Sequence, residues 1–158
     1  MNKAPRLITC TIAAFLAATV TLAEPAKPTA EHARLALFVG KFKVEGVILG
    51  RAIRANQTCK WFEGGFAVTC RVTPLNGGQT LAIFSYNMKE KIYEYHSISS
   101  AGGVTNQKGP EQGGVFTFVS DSGTGGKVEA VVKPLPIGYL LTISIDGKQI
   151  EETTYTKL

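Results

Sequence analysis

Apolar and polar residues alternate along most of the chain after Gly40. The segment KFKVEGVIL (41–49) places Phe42 and Val44 on one face and Lys41 and Lys43 on the other. The same period of two recurs in GVFTFVSD (114–121), GKVEAVVKP (126–134) and IGYLLTISID (137–146). Because neighbouring side chains of a strand point to opposite faces, this pattern predicts strands with one wet face and one buried face.

Turn-forming residues separate the alternating segments at regular intervals. They are Gly64-Gly65, Asn76-Gly77-Gly78, the segment 87–91, Gly102-Gly103, Gly113-Gly114, the segment 121–126, the segment 134–136 and Asp146-Gly147. About nine or ten short strands joined by tight turns favour an antiparallel up-and-down meander. The chain has no long helical segment that could form a parallel crossover. Closure into a β-barrel removes the exposed sheet edges, so an all-β barrel is preferred to a sandwich.

A short helix is predicted immediately before the first strand. Thr29 is a suitable N-cap for the segment AEHARLALFV (30–39), which ends before Gly40. Helical spacing directs Leu35, Phe38 and Val39 toward the core. The helix is one or two turns long and is expected to close one end of the barrel.

The first residues have the pattern of a secretory signal peptide. Lys3 and Arg6 precede an apolar run over 7–22, and Ala23 ends a plausible cleavage motif. An uncleaved N-terminal anchor is the alternative, although the run is short for a membrane span. We therefore predict a signal peptide over 1–23, a flexible Pro/Ala-rich leader over 24–30, a barrel domain over 31–158, and a periplasmic or secreted protein.

Charge and cysteine content refine this prediction. The formal charge of +5 falls to +3 without Lys3 and Arg6, and the remaining basic residues are scattered, so nucleic-acid binding is not expected. Export would also remove Cys10 and leave Cys59 and Cys70 in an oxidising compartment, where a disulfide is the simplest state. Free thiols or a catalytic pair are the alternatives. A metal site is not expected, because two cysteines are too few ligands and neither His32 nor His96 lies at ligand spacing.

The segment CKWFEGGFAVTC (59–70) supports the disulfide through its register. A hairpin centred on Gly64-Gly65 places Cys59 opposite Cys70 and Trp61 opposite Val68, all on the more apolar face. A two-residue loop would make the cysteines a hydrogen-bonded pair, with alpha carbons about 5.5 Å apart. Cross-strand disulfides suit the closer pairs, so we expect a bulge or a longer loop near the glycines.

The last hairpin yields a candidate polar group. A two-residue loop at Asp146-Gly147 pairs Leu141 with Glu152 and so places Glu152 on the apolar face. A carboxylate there needs a partner or could orient a ligand. The alternative is a water-exposed position at the barrel end, or a structural ion pair with Arg51 or Arg54.

Four segments resemble a known group of bacterial proteins. They are ALFVGKFKVEG (36–46), CKWFEGGFAV (59–68), LAIFSYNMKEKIYEYHSIS (81–99) and EETTYTKL (151–158). In this order they resemble the lipocalin-like domains of unknown function in the calycin group. This chain departs from the usual motifs at Phe42, Ser85 and Asn87. The resemblance implies a lipocalin-like antiparallel barrel with an internal cavity, and no settled activity.

His96 is the candidate for a haem ligand. A haem-binding barrel related to the calycin group uses a histidine to bind iron, so the resemblance makes haem through His96 an alternative to no cofactor. In the segment KIYEYHSIS neither face is clearly apolar, so periodicity does not orient His96. The simpler alternative is an exposed or hydrogen-bonded strand histidine.

No catalytic constellation is evident in the sequence. The chain lacks a Gly-x-Ser-x-Gly motif, and the glycine-rich segment 121–126 is not followed by the Lys-Ser/Thr of a phosphate loop. An isomerase or hydrolase is therefore the weakest of the functional hypotheses.

The leading hypothesis is non-enzymatic binding of a small apolar or amphipathic molecule inside the barrel. The expected lining residues are Trp61, Phe116, Tyr139 and Leu141, with Glu152 or His96 as a polar anchor. The alternative is a structural or protein-interaction module of the cell envelope. That module would use outward apolar positions such as Phe62 and Val131.

Overall fold

A computed structural model describes residues 27–121 and 125–158. The predicted signal peptide over 1–23 and the first residues of the predicted leader lie outside this part of the chain. The described chain enters a short helix α1 (Ala30–Arg34), which continues into a 3-10 helix (Leu35–Phe38). Thr29 is the N-cap, and its backbone N–H donates to Nδ1 of His32 at 3.1 Å.

Eleven strands follow within the described residues. They are β1 (Gly40–Ile48), β2 (Arg51–Trp61), β3 (Ala67–Pro74), β4 (Thr80–Asn87), β5 (Ile92–Ser99), β6 (Val104–Gly109), β7 (Glu111–Gln112), β8 (Val115–Asp121), β9 (Lys127–Leu135), β10 (Gly138–Ile145) and β11 (Lys148–Lys157). Apart from the two-residue β7, these strands form a ten-stranded antiparallel barrel in which chain neighbours are also spatial neighbours. The predicted all-β up-and-down barrel with a short N-terminal helix is confirmed.

Two contacts close the barrel. The first strand β1 pairs along its length with the last strand β11, and β6 meets β8 at Lys108 and Val119. Gly109 is required at this second seam, because a Cβ there would lie 1.6 Å from the carbonyl oxygen of Thr117. The chain therefore needs a residue without a side chain at the end of β6, where the backbone of β8 lies against it.

The N-terminal helix closes one end of the barrel, as predicted. Leu35 and Phe38 are fully buried. The ring of Phe38 stacks on that of Phe84 at 3.9 Å and meets the ring of Tyr139 edge-on at 5.4 Å. Val39 is partly buried against the same cluster. The aromatic residues at this end form a packed floor beneath the rest of the interior.

Polar contacts also hold the helix in place. His32 is buried, and its ring makes edge contacts with Phe66 and Tyr86. The Tyr93 hydroxyl donates to the Glu31 carbonyl at 3.0 Å, and Arg34 forms an ion pair with Glu111. Burial raises the pKa of Tyr93 to about 12, so this phenol remains a hydrogen-bond donor at neutral pH.

The β2–β3 hairpin confirms the predicted register and the disulfide. Cys59 faces Cys70 and Trp61 faces Val68, and the two cysteines are bonded. The Phe62 N–H donates to the Ala67 carbonyl, so four residues form the loop, as the expectation of a longer loop requires. Because bonded and non-bonded pairs alternate, Cys59 and Cys70 form a close pair with alpha carbons 4.0 Å apart. The disulfide contributes on the order of 3 kcal/mol by loop closure.

The β10–β11 hairpin departs from the predicted register. Ile145 pairs with Lys148 and Ser144 with Gln149, as a two-residue loop at Asp146-Gly147 requires. A β-bulge then shifts the pairing by one residue, so that Glu152 faces Thr142. The predicted Leu141–Glu152 pair is therefore wrong, and Glu152 lies on the outer face. The extra residue is Ile150, and it turns Glu151 toward the interior.

Candidate functional site

The end of the barrel opposite the helix is open. Its rim contains the turns after β1, β3 and β10, and it surrounds a mouth of about 670 Å³. This volume lies in the range of 300–1,000 Å³ that is typical of small-molecule sites. The wall is largely aliphatic, with Ile48, Ile53, Val72, Leu141 and Ile143 among the lining residues.

A smaller cavity of about 80 Å³ lies directly below the mouth. Its floor includes Phe38 and Phe84, the stacked pair at the helical end. The mouth and the cavity share five wall residues, namely Val72, Tyr95, Leu141, Ile143 and Tyr155. The interior is therefore one tapering space, wide at the rim and nearly filled by aromatic rings near the helix.

The cavity wall also contains polar groups. The Gln57 side-chain amide donates to the Tyr139 hydroxyl at 2.7 Å, and both residues are buried. Burial raises the pKa values of Tyr95, Tyr139 and Tyr155, so these phenols are neutral at physiological pH. An apolar space with a few inward hydroxyl and amide groups suits an amphipathic molecule better than a plain hydrocarbon.

Glu151 is the carboxyl group that lines the mouth. Its residue surface is 9% exposed, and the Thr153 hydroxyl donates to its Oε1 at 2.9 Å. Strand pairing places Glu151 between Ile48 of β1 and Ile143 of β10. Burial raises the pKa of Glu151, because an apolar wall disfavours the ionised form.

The arginines near the mouth do not neutralise Glu151. Arg54 lies on the outer face of β2, and its Nε lies 3.6 Å from Glu45 Oε1. Arg51, at the first position of β2, is exposed at the rim. From the sequence, Glu152 was the carboxylate considered for an ion pair with Arg51 or Arg54. In the structure Arg54 instead contacts Glu45 on the outer face of the barrel.

The predicted lining residues fall into three groups. Tyr139 lines the cavity, and Leu141 lines both the cavity and the mouth. Phe116 is buried against Phe38 at the helical end, and Trp61 packs against the same core. Glu152 is exposed and accepts a hydrogen bond from Gln149. The structure thus brings two of the predicted residues to the site and places the other three named here outside it.

His96 lies on the outer face of β5 and does not reach the interior. Its Nδ1 is 2.8 Å from Asn106 Oδ1, and its Nε2 is 3.7 Å from Glu94. The residue belongs to a shallow groove between β5, β6 and β8. A haem group bound inside the barrel could not use this side chain.

Several site residues were missed from the sequence. Glu151, Tyr95, Tyr155 and Gln57 line the interior, and only Tyr95 and Tyr155 carried a usable signal, as aromatic residues in alternating strands. Glu151 and Glu152 are chemically identical neighbours. Only the position of the bulge decides which of them points inward.

No protein-family model matches the chain, and no curated protein is significantly similar to it. Among residues 27–121 and 125–158, no group of three or more His, Cys, Asp or Glu side chains could hold a metal ion. Within the same ranges, no helix has the length and apolar character needed to cross a membrane.

Proposed function

We propose that this protein binds a small amphipathic molecule in the open mouth of its barrel and has no catalytic role. The observation that carries the proposal is the tapering interior, with an aliphatic mouth of about 670 Å³ above a cavity of about 80 Å³. The mouth accommodates most of a ligand, and the cavity beneath it has room for no more than a slim apolar end. Tyr95, Tyr155 and Glu151 supply the polar contacts that orient it.

The proposal includes a site of action outside the cytoplasm. The Cys59–Cys70 disulfide supports this compartment, because such bonds persist in oxidising environments. The signal-peptide pattern over 1–23 supports the same conclusion independently. Sequencing the N-terminus of the protein recovered from its own host tests signal-peptide cleavage and thereby export. A mature chain that starts near Glu24 is the expected result.

Two adjacent leucines provide a direct test of binding. Leu141 lines the mouth, whereas the neighbouring Leu140 points to the opposite face of β10. The neutral fluorophore N-phenyl-1-naphthylamine should bind the wild-type protein with enhanced emission. Leu141→Trp should abolish this signal, because the new ring fills the passage, and Leu140→Trp should retain it.

Circular dichroism tests whether both leucine variants are folded. If Leu141→Trp does not fold, Ile143→Trp is used in its place. Equal binding by the Leu140 and Leu141 variants would show that the fluorophore binds elsewhere. Extraction and mass spectrometry of protein from its own host would then identify a natural ligand, or show an empty interior that contradicts the proposal.

A second candidate function is that of a protein-interaction module. The outer face has an apolar patch, in which Leu81 pairs with Ile98 and Ile98 with Val104. These three side chains are 48%, 57% and 62% exposed. Phe62 is exposed beside the β2–β3 loop, and Val131 lies on β9 elsewhere around the barrel, so the predicted outward positions do not form this patch.

Self-association through this patch is the simplest form of the second function. Sedimentation should then show a concentration-dependent dimer that Ile98→Asp abolishes, because the substitution places a charge in an apolar contact. A protein that remains monomeric at high concentration would remove this form of the hypothesis.

A further inference from the structure

We propose that the barrel mouth selects amphipathic molecules with a cationic head group, such as an alkylammonium ion, and that Glu151 is the acceptor. This inference rests on the proposed binding function and adds the chemical class of the ligand. It is carried by a buried carboxyl group at the wall of a largely aliphatic space.

Glu151 has hydrogen-bond acceptor capacity to spare. A carboxylate presents two oxygens with about four acceptor positions, and the described hydrogen bond from Thr153 uses one of them. An ionised carboxyl group in an apolar wall is costly unless it is paired. A ligand ammonium group carries three N–H donors and a compensating charge, so it supplies what this carboxylate lacks.

The other ionisable groups that line the mouth do not favour an anion. Tyr95 and Tyr155 have pKa values raised by burial and are neutral at physiological pH. Arg54 is a rim residue whose side chain is 73% exposed and extends toward Glu45. A carboxylate ligand would therefore meet Glu151 as a like charge in the buried part of the site.

The depth of Glu151 determines how such a ligand would lie. Glu151 lines the mouth and does not line the cavity beneath it, whereas Leu141 and Ile143 line both. A head group at Glu151 therefore leaves the apolar chain in contact with the aliphatic wall. Its far end either points down toward the cavity floor at Phe38 or folds along the mouth.

Three ligands of equal chain length test the inference: decylammonium, decanol and decanoate. Displacement of N-phenyl-1-naphthylamine from the full chain is measured for each ligand at neutral pH, at concentrations below the critical micelle concentration of that ligand. Decylammonium should bind at least about tenfold more tightly than decanoate, since hydrogen bonds to charged groups are the stronger ones. In Glu151→Gln this preference should fall to within about threefold. In Glu152→Gln, an adjacent but exposed position, the preference should persist.

The outcomes separate this inference from the binding function. Decanol binding with no preference between decylammonium and decanoate would overturn the cationic selection and leave the binding function intact. Tighter binding of decanoate that is lost in Arg54→Gln would overturn it in favour of an anion site at the rim. If none of the three ligands displaces the fluorophore, the binding function itself fails. A preference that survives Glu151→Gln would show that another group selects the cation.

Discussion

Glu151 and Glu152 are chemically identical, and only their faces on β11 distinguish them. Glu151 is buried beside Ile48 and Ile143, whereas Glu152 is exposed and contacts Gln149. Burial raises the pKa of the first carboxyl group. The pair is therefore a natural internal comparison for the effect of burial on an acid.

The stability of the protein should depend on pH through Glu151. Its pKa is higher in the folded protein than in the unfolded chain, so the folded state holds the proton more tightly. The stabilisation of the folded state by protonated Glu151 is therefore complete below the ordinary carboxyl pKa. It is lost as the pH rises through the raised pKa of the folded protein. We expect Glu151→Gln to raise the melting temperature at neutral pH, with the gain shrinking toward pH 4.

The matched control is Glu152→Gln, which should change the free energy of unfolding by no more than a surface substitution does, about 0.5 kcal/mol or less at any pH. Calorimetric scans of the three proteins between pH 4 and pH 8 measure both effects. A stability gap between wild type and Glu151→Gln that stays constant over this range would show that Glu151 does not titrate in it.

At the scale of elements, the two hairpins differ in how well their register could be predicted. In the β2–β3 hairpin, the two cysteines and the Trp61–Val68 pair are symmetric about the glycines, so one register turns all four toward the core. The β10–β11 hairpin has no such symmetry. Its bulge is accompanied by a hydrogen bond from the Leu49 N–H to the Ile150 carbonyl, at 2.7 Å. Leu49 is distant in sequence, so periodicity along one strand could not reveal this contact.

Deletion of single residues in β11 should test the bulge. Ile150 is the unpaired residue between two stretches of regular pairing, so its deletion should yield a regular hairpin that keeps Glu151 and Thr153 inside. We expect the protein without Ile150 to fold with a loss of about 1–2 kcal/mol, because it loses the bond from Leu49. Denaturation in urea measures this loss.

Deletion of Thr154 is the control for the loss of one residue from the same strand. It shifts every later position by one and turns Tyr155 out of the core, so the barrel should not fold. Near-ultraviolet circular dichroism reports the aromatic packing of both proteins. If the two deletions are equally harmful, Ile150 is a structural part of the ladder and not an insertion in it.

At the scale of the whole molecule, the strands were predictable, whereas the interior volume was not. Alternation and turn residues determine which side chains face inward, and Tyr139 and Leu141 were found in this way. The depth of the cavity depends instead on how the N-terminal helix enters the barrel. The stacking of Phe38 on Phe84 is a contact between residues distant in sequence, and it sets the cavity floor.

Removal of the Phe38 ring should therefore deepen the binding space at the expense of stability. Phe38→Ala should lower the free energy of unfolding by about 3–5 kcal/mol, because the ring is fully buried. Phe62→Ala removes the same ring from a side chain that is 60% exposed and should change the free energy of unfolding by about 0.5 kcal/mol or less.

If the cavity under the mouth receives the apolar end of the ligand, Phe38→Ala should also bind tetradecanol more tightly relative to decanol than the wild type does. Urea unfolding and fluorophore displacement measure the two effects. An unchanged preference for chain length in a folded Phe38→Ala would mean that bound molecules stay in the mouth and do not reach the helix.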